Sequence, residues 1–371
     1  MRRRLEALRW PVLAGAGAVL PLAWVLASGH TLVWRDSAQL YAPHRTIVSQ
    51  ALRSLGLPAW NPWEATGQPL FASGLDSVLH PVSLLVALVT PSVDALIVAL
   101  VLFAALGAWM AARSLDASPA AAAGAALAFA LSGYALAMSA NAVYLVGTAS
   151  GPWAVAGLRE AARRRAGLIA AAAGVAALAL SGDVGSLAAF TTIGAVLAWN
   201  AGRWRGLARA ALGAALGLAL AAVQLLPSWL YLAETWRGAG LLDPGSERRW
   251  ALAPWRLLEL LAPGFFVGIP HSYVAPVFAA LGGPSATGFP FASSVFVGAP
   301  VVALAAAGAR RNAPARVLLA LAVLFLWLAL GHHLGSQQLL SGTPVWGALR
   351  YWEKMVGPLT LCLALASAPG L

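Results

Sequence analysis

The chain has 371 residues, of which 60% are hydrophobic and 10% charged, and its mean hydropathy is +0.76. A water-soluble protein carries charge on about a quarter of its residues, so this composition excludes a globular exterior in water. The net charge of +11 does not indicate nucleic-acid binding. The arginines cluster in short breaks between apolar runs, which is the pattern of cytoplasmic loops in a membrane protein.

Apolar runs long enough to cross about 30 Å of hydrocarbon recur along the whole chain. They are uniformly apolar rather than alternating, which favours helices over the strands of a barrel. The sequence therefore predicts an all-α, polytopic bundle of about ten spans that forms one transmembrane domain over residues 1–371. The predicted spans are 11–29, 93–112, 119–138, 142–159, 167–182, 184–201, 207–230, 292–309, 315–332 and 356–371.

The orientation follows from the charges. No small-residue cleavage site follows the first apolar run, so we predict that this run is retained as the first span. A cytoplasmic N-terminus places arginine clusters such as 163–165 inside, and it places all six histidines and most carboxylates outside. Heavy use of arginine beside the single lysine favours a bacterial protein, and hence the bacterial plasma (inner) membrane.

The first external loop covers residues 30–92. From Ser37 to Leu55 its apolar residues have the spacing of a helix that lies in the membrane interface rather than crossing it. Pro58 ends this helix, because proline disfavours helix at its own position and at the preceding one. The apolar run 76–90, which Pro81 interrupts, is too short to span and is predicted to dip into the interface.

A second long external loop, residues 232–291, is rich in aromatic residues. Aromatic rings with a polar edge favour the headgroup layer, so this loop is predicted to form a lid that rests on the membrane surface. Its aromatic residues include Trp236, Trp250, Trp255, Phe265, Phe266, Tyr273, Phe289 and Phe291.

Asp36 is the first candidate for chemistry, because it lies just beyond the first span at the membrane–water boundary. A carboxylate there can deprotonate an acceptor hydroxyl or coordinate a divalent cation. The alternative is an ordinary boundary aspartate that caps the helix beginning at Ser37.

Other ionisable residues of the external face also have two interpretations. If 76–80 were helical, Asp76 and His80 would share a face and a cation; otherwise they are a capping aspartate and a surface histidine. Asp183 either caps the sixth span or belongs to a site. Arg350 and Lys354, cations on the side opposite the arginine clusters, either bind the phosphate of a lipid substrate or extend towards the headgroups.

The first loop also carries a resemblance. Its residues Trp34-Arg35-Asp36, Gln39, Tyr41, Pro43, Arg45, Gly56, Pro58, Trp60-Asn61-Pro62, Gly67, Pro69 and His80-Pro81 resemble the first external loop of YfhO-like membrane proteins, members of the type C glycosyltransferase (GT-C) superfamily. A looser match continues in order along most of the chain. It includes Asn141, Gly182-Asp183 and Leu349-Arg350 with Lys354.

The resemblance implies an enzyme that moves a sugar from a polyprenyl-phosphate-linked donor to a cell-envelope acceptor on the external face. Asp36 then matches the acidic residue that acts as base or metal ligand. The implied cofactor is a divalent cation, Mg²⁺ or Mn²⁺, held by Asp36 and Asp76. The residues implied in substrate binding are Arg35, Gln39, Tyr41, Arg45, Trp60, Asn61, Asp76, His80, Asp183, Arg350 and Lys354.

Two other functions fit the sequence as well. A transporter or flippase of a lipid-linked precursor would use Asp183 and the basic residues along a path, and an assembly protein would carry no chemistry. Transporters bury charges near the bilayer midplane, on broken helices. The predicted spans contain almost no ionisable residues in their interiors, which favours a site at the external boundary.

Overall fold

The structure is a computed structural model, and it describes residues 2–64, 66–235, 238, 250–263, 290–343, 346 and 349–370. Within these residues the fold is helical apart from one pair of two-residue strands. The predicted all-α class is therefore confirmed. Of the aromatic-rich loop 232–291, only residues 232–235, 238, 250–263 and 290–291 are described; the prediction of a lid otherwise lies outside the described residues.

The segment predicted as the first external loop, residues 30–92, keeps that name here and contains the two strands and several short helices. A π-helix, Ser37–Tyr41, leads directly into an α-helix, so the segment beginning at Ser37 is helical, as predicted. Pro81 begins the last helix of the loop rather than interrupting it, because the first turn of a helix does not need the missing N–H. The elements are α2 (Ala42–Arg53), β1 (Trp60–Asn61), β2 (Gln68–Pro69), α3 (Leu70–Ser73) and α4 (Pro81–Val89), with β1 and β2 antiparallel.

The remaining helices form the bundle, and each of the ten predicted spans overlaps one of them. They are α1 (Arg2–Ala27), α5 (Val93–Ser114), α6 (Pro119–Ala130), α7 (Gly133–Ala137), α8 (Ala142–Arg163), α9 (Gly167–Ala179), α10 (Val184–Leu232), α11 (Ala299–Arg311), α12 (Ala313–Ala329), α13 (Ser336–Leu340) and α14 (Val356–Ser367). Short 3₁₀ turns cover Met138–Ala140, Pro254–Leu260, Gly331–Leu334, Trp352–Met355 and Ala368–Gly370.

Length and apolar composition single out fewer membrane spans than the ten predicted. Among the described residues, three helices are long and apolar enough to cross a membrane: Arg9–Ala27, Val93–Ser114 and Val184–Leu232. A fourth span results if the bent pair Pro119–Ala130 and Gly133–Ala140, which meet at 42°, is one crossing. The chain is thus a helical membrane protein with at least these candidate spans.

The predicted spans 184–201 and 207–230 correspond to the two helical parts of α10, which are separated by a break within Val184–Leu232. The break lies at Arg203, whose φ of 52° and ψ of −139° are not helical. A positive φ is uncommon for a residue with a side chain, so the backbone breaks there and the two parts take different directions.

Two helices form the centre of the bundle. Helix α8 packs against α5, α9 and α10, and α14 packs against α6, α11 and α12. Every residue of α14 is buried, as expected of a helix that is apolar on all sides. The 22 residues of α8 extend about 33 Å, so Asn141 and Arg163 lie at opposite ends of the bundle.

The first external loop is fastened to the end of the bundle at the α9–α10 hairpin. The Ser77 hydroxyl donates to the carbonyl of Ser181 over 2.8 Å. Gly182 has a φ of +78°, and a Cβ there would lie 2.4 Å from the carbonyl oxygen of Gly74. This approach requires glycine, and it fixes the loop against the entrance of α10.

Candidate active site

A cavity of about 190 Å³ opens at the end of the bundle where α1 ends and α8 begins. Its walls come from segments that are far apart in sequence: the start of the first external loop, the α7–α8 connection, and the chain just before the Pro254–Leu260 turn, α11 and α14. The lining residues are Arg35, Asp36, Ala137, Met138, Ala140, Asn141, Tyr144, Trp250, Phe291 and Tyr351.

Asp36 contributes the carboxylate of this cavity. It precedes the π-helix but makes no side-chain capping hydrogen bond to it, so the capping alternative does not describe it. Arg35 before it has a positive φ of 52°. Strained backbone and π-helical turns both occur preferentially at functional sites. The chain therefore turns sharply at Arg35 and directs Asp36 into the cavity rather than along the helix.

Asn141 holds the Asp36 carboxylate in place. Its Nδ2 donates to Asp36 Oδ2 over 2.8 Å, and its Oδ1 accepts from the Tyr41 hydroxyl over 3.0 Å. Burial raises the pKa of Tyr41 well above its usual range, so the hydroxyl remains a donor. In the described part of the chain, Asn141 is the one hydrogen-bond donor to this carboxylate. The amide thereby fixes the position of one carboxylate oxygen.

Four aromatic rings line the cavity beside Asp36. Phe291 and Tyr351 stack with centroids 4.9 Å apart, and Tyr144 is inclined to both at 5.2 and 5.7 Å. Trp250 contacts Tyr351 at 5.6 Å. A lining of hydrophobic and aromatic side chains with a few placed polar groups is usual for a small-molecule site.

Two arginines hold the segments that carry these rings. Arg35 donates through Nη1 to the carbonyls of Pro290 and Phe291, at 3.2 and 3.4 Å. From the other side, Arg256 Nη2 donates to the carbonyl of Ala292 over 2.9 Å. The segment that presents Phe291 to the cavity is thus held at both ends.

Arg256 also forms a buried ion-pair network, which we call the Arg256 clamp. Its guanidinium contacts Glu353 Oε1 at 2.5 Å and Glu259 Oε2 at 2.7 Å, with all three side chains almost completely buried. Burial raises the pKa of the Glu353 carboxyl, although Arg256 opposes this. Because Glu353 also accepts from the Ala292 amide, the clamp joins the segments that carry Trp250, Phe291 and Tyr351.

Asp183 and Lys354 form a buried ion pair next to the cavity rather than in its lining. Lys354 Nζ lies 2.7 Å from Asp183 Oδ1 and 3.8 Å from the centre of the Tyr144 ring. Asp183 caps α10 by accepting from the Gly185 amide, so it acts as the predicted cap. The Arg350 guanidinium lies 5.2 Å from the ring of Tyr351. Both cations therefore contact aromatic rings of the cavity wall without lining the cavity themselves.

Asp76 belongs to a separate network in the first external loop. Its Oδ2 lies 3.1 Å from His44 Nδ1, and Glu64 Oε2 lies 2.5 Å from the other ring nitrogen. Burial by itself lowers the pKa of His44, but its hydrogen bonds and charge pairing with Asp76 and Glu64 outweigh it and raise the pKa to about 9. Arg45 donates to Ser83, and burial lowers its pKa to about 10.

This network predicts a loss of stability at alkaline pH. A pKa raised from its usual 6.5 to about 9 means that the folded state holds a proton that the unfolded chain releases. The contribution is therefore complete below about pH 6.5 and is lost as the pH rises through 9. Between pH 6 and 9.5 we expect the Tm of the purified wild type to fall further than the Tm of His44→Gln, by about 2–4 °C. An equal fall in both proteins would contradict the network.

His80 lies apart from Asp76. Residues 76–80 form turns rather than a helix, so the condition for a shared cation face is not met. His80 Nε2 lies 2.9 Å from the Ser150 hydroxyl of α8. Burial lowers the pKa of His80 to about 3, so its imidazole is neutral.

The remaining predicted loop residues lie away from the cavity. Gln39 and Asn61 line a second, wider opening of about 570 Å³, which we call the loop groove. Trp60 is half exposed on β1 and covers Gly67, where a Cβ would lie 2.6 Å from its ring. The structure thus divides the predicted first-loop residues between a cavity, a buried network and a groove.

The two carboxylates predicted to hold a cation have different partners, Asn141 for Asp36 and His44 for Asp76. Across the described residues, no group of three or more His, Cys, Asp or Glu side chains could hold a metal ion. Asp36 is the single carboxylate among the described residues that line the cavity. The described lining therefore fits a divalent cation only if a substrate supplies most of the ligands.

Sequence reasoning missed several residues of the site. Tyr144 lies within an apolar span, where a lone tyrosine gives no signal of function. Tyr351 follows Arg350 directly, and no pattern in the sequence distinguishes it from an ordinary interfacial tyrosine. Asn141 belongs only to the looser part of the resemblance. It lies directly before the first residue of α8, and asparagine at such a position is usually explained as a helix boundary.

Comparisons with known proteins identify no family for this chain. No protein-family model matches the sequence, and no curated protein is significantly similar to it. Among solved structures, the chain is similar to the crystal structure of the Archaeoglobus fulgidus oligosaccharyltransferase in its apo form, at 14% identity and a TM-score of 0.43. The match covers 96% of this chain and 50% of that protein, so the chain spans about half of its length.

Proposed function

We propose that this protein is a membrane glycosyltransferase of the GT-C type. It takes a sugar from a polyprenyl-phosphate-linked donor and transfers it to a cell-envelope acceptor on the external face of the bacterial plasma membrane. The observation that carries the proposal is a carboxylate, Asp36, held by Asn141 in a cavity walled by four aromatic rings. The sequence resemblance of the first external loop points to the same chemistry.

The residues of the cavity have distinct roles in this reaction. Asp36 accepts the proton of an acceptor hydroxyl while the oxygen attacks the anomeric carbon of the sugar. The bond from that carbon to the phosphate oxygen breaks, and the polyprenyl phosphate leaves with the electron pair. Arg35 supplies a permanent positive charge on the cavity wall, where negative charge develops on the leaving phosphate.

The transferred sugar is proposed to lie in the cavity of about 190 Å³ beside Asp36. The rings of Tyr144, Phe291 and Tyr351 offer apolar faces to that sugar. Asp36 is the residue of the described lining that would hold a divalent cation, Mg²⁺ or Mn²⁺, and such a cation would supply positive charge for the departing phosphate.

The proposed topology has ten crossings and a cytoplasmic N-terminus. The connection 113–118, which begins with Arg113, and the arginine-rich connection 163–167 share one end of the bundle, where Arg163 contacts Asp116 at 3.0 Å. The Asp36 cavity lies at the other end. The arginine-rich end faces the cytoplasm by the positive-inside rule. An interfacial carboxylate also fits the transferase better than a transporter, which places its charges near the midplane.

The test is transfer of radiolabelled sugar from polyprenyl-phosphate monosaccharides by the purified protein in vesicles, with EDTA and added Mg²⁺ or Mn²⁺ as separate arms. We expect Asn141→Ala to lower kcat by about 10- to 100-fold, because the Asp36 carboxylate loses its orientation while the base itself remains. The Asn141→Asp variant adds a like charge beside Asp36, and its kcat is expected to be no higher than that of Asn141→Ala. Absence of both transfer and donor binding in the wild type would contradict the proposed function.

A further inference from the structure

The π-helix of the first external loop separates two openings. Asp36, which precedes it, lines the cavity described above, whereas Gln39 and Leu40 line the loop groove of about 570 Å³. Helix α2 and the turn after β1 complete the groove. A ligand in the groove would therefore lie against the π-helix, which directly follows the proposed base Asp36.

The lining of the loop groove combines a mostly apolar exposed surface with several polar side chains. Six of its ten lining residues have polar side chains, and the amides among them both donate and accept hydrogen bonds. His44 and Asn61 are buried and already hydrogen-bonded, whereas the side chains of Gln39, Thr46 and Gln50 are exposed. A hydrocarbon chain over these exposed groups would leave them desolvated without partners. A sugar ring would pair its hydroxyls with them and place its apolar face against the apolar surface. The six are Gln39, His44, Thr46, Gln50, Asn61 and Glu64.

The charges at the groove disfavour an anionic ligand. No lysine or arginine belongs to its described lining. The His44 ring lies between the carboxylates of Glu64 and Asp76, so its single positive charge is outnumbered. A phosphate would be repelled, and a neutral ligand would not.

The indole ring of Trp63 lies exposed at the edge of the groove. The backbone N–H of Trp63 donates to Asn61 Oδ1 over 3.0 Å. Asn61 Nδ2 donates in turn to Glu64 Oε2 over 3.2 Å, and Asn61 itself is only 2% exposed. A buried amide thus fixes the turn that presents both the indole face and the carboxylate, which reduces the entropy cost of binding.

We propose that the loop groove binds a neutral carbohydrate chain, namely part of the acceptor. The assignment of the ligand as acceptor rests on the proposed function; the assignment as neutral carbohydrate rests on the groove alone. Trp63 stacks on a sugar ring while Gln39, Gln50 and Glu64 pair with its hydroxyls. Binding there selects the acceptor and keeps it next to the segment that carries Asp36.

The test uses the purified full chain in detergent and neutral oligosaccharides of two to six glucose, galactose, mannose or N-acetylglucosamine units. Binding is followed by saturation-transfer NMR, and the KM of any oligosaccharide that accepts sugar is measured. We expect Trp63→Ala to weaken binding and to raise that KM by about five- to tenfold with little change in kcat, and Trp63→Phe to recover much of the loss. Trp229→Ala, which removes an exposed indole from α10 outside both openings, is the matched control and should bind as the wild type does.

The outcomes separate the two proposals. Asp36→Asn is expected to retain oligosaccharide binding while transfer is lost. If transfer requires Asp36 but Trp63→Ala binds oligosaccharides normally, or if only anionic glycans bind, the groove proposal is wrong and the transferase proposal stands. If the groove binds oligosaccharides through Trp63 but the wild type neither binds a donor nor transfers sugar from it, the groove proposal stands and the transferase proposal is wrong.

Discussion

Asp36→Asn is expected to lower the kcat of sugar transfer by about 10²- to 10⁴-fold, which is the usual contribution of a positioned general base. The substitution is nearly isosteric, and the new amide oxygen still accepts from Asn141 Nδ2, so the geometry of the cavity is preserved. What is lost is the group that takes the proton of the acceptor hydroxyl. The measurement is radiolabelled transfer in vesicles, at equal amounts of monodisperse protein.

The control for this variant is Asp116→Asn. Asp116 is an exposed aspartate at the opposite end of the bundle, where it pairs with Arg163, and its loss should leave transfer unchanged. Donor binding by Asp36→Asn should remain within a few-fold of the wild type. Transfer at the wild-type rate by Asp36→Asn would remove Asp36 from the mechanism.

Arg256→Met is expected to have the largest effect on stability, lowering the free energy of unfolding by about 3–5 kcal/mol. The guanidinium contacts Glu259 and Glu353 with side-chain exposures of 2% and 3%. Its removal leaves two carboxyls in a low-dielectric interior without a counter-charge. Thermal unfolding of the purified protein in detergent measures the loss.

Two comparisons distinguish charge burial from simple loss of packing. Arg163→Met breaks a pair with side-chain exposures of 40% and 69%, so it should cost less than about 1 kcal/mol. The triple variant Arg256→Met/Glu259→Gln/Glu353→Gln removes the buried charge altogether and should recover much of the stability. If the single and triple variants unfold at the same temperature, the destabilisation does not come from unpaired charge.

Local patterns determined where the helices form. The spacing of apolar residues from Ser37 to Leu55 predicted the segment that the π-helix and α2 occupy. Run length located the bundle helices, because a helix in lipid must satisfy its own backbone groups. The break of α10 at Arg203 falls between the predicted spans 184–201 and 207–230, where Gly202 and the arginines at 203 and 205 interrupt the apolar run. The positive φ at Arg203 itself was not predictable, because it belongs to a residue type that rarely adopts it.

The candidate site was predicted only in part. The position of Asp36 just beyond an apolar run identified it, since a carboxylate at a membrane boundary is costly without a role. The aromatic composition of 232–291 included Trp250 and Phe291 but predicted a lid on the headgroups, whereas these two rings line the cavity. Lys354 was expected to face the headgroups or a phosphate, and it lies buried against Asp183.

Apolar periodicity and charge placement act between near neighbours, and so the sequence by itself determined the helical class, the helix positions and a carboxylate at the bundle end. The partners of that carboxylate were decided by the tertiary structure. Asn141 is 105 residues from Asp36, and Glu353 is 97 residues from Arg256. Such contacts depend on how the helices pack and where α7 bends into α8. No spacing along the chain encodes them, because a hydrogen bond between distant segments leaves no periodic pattern in either one.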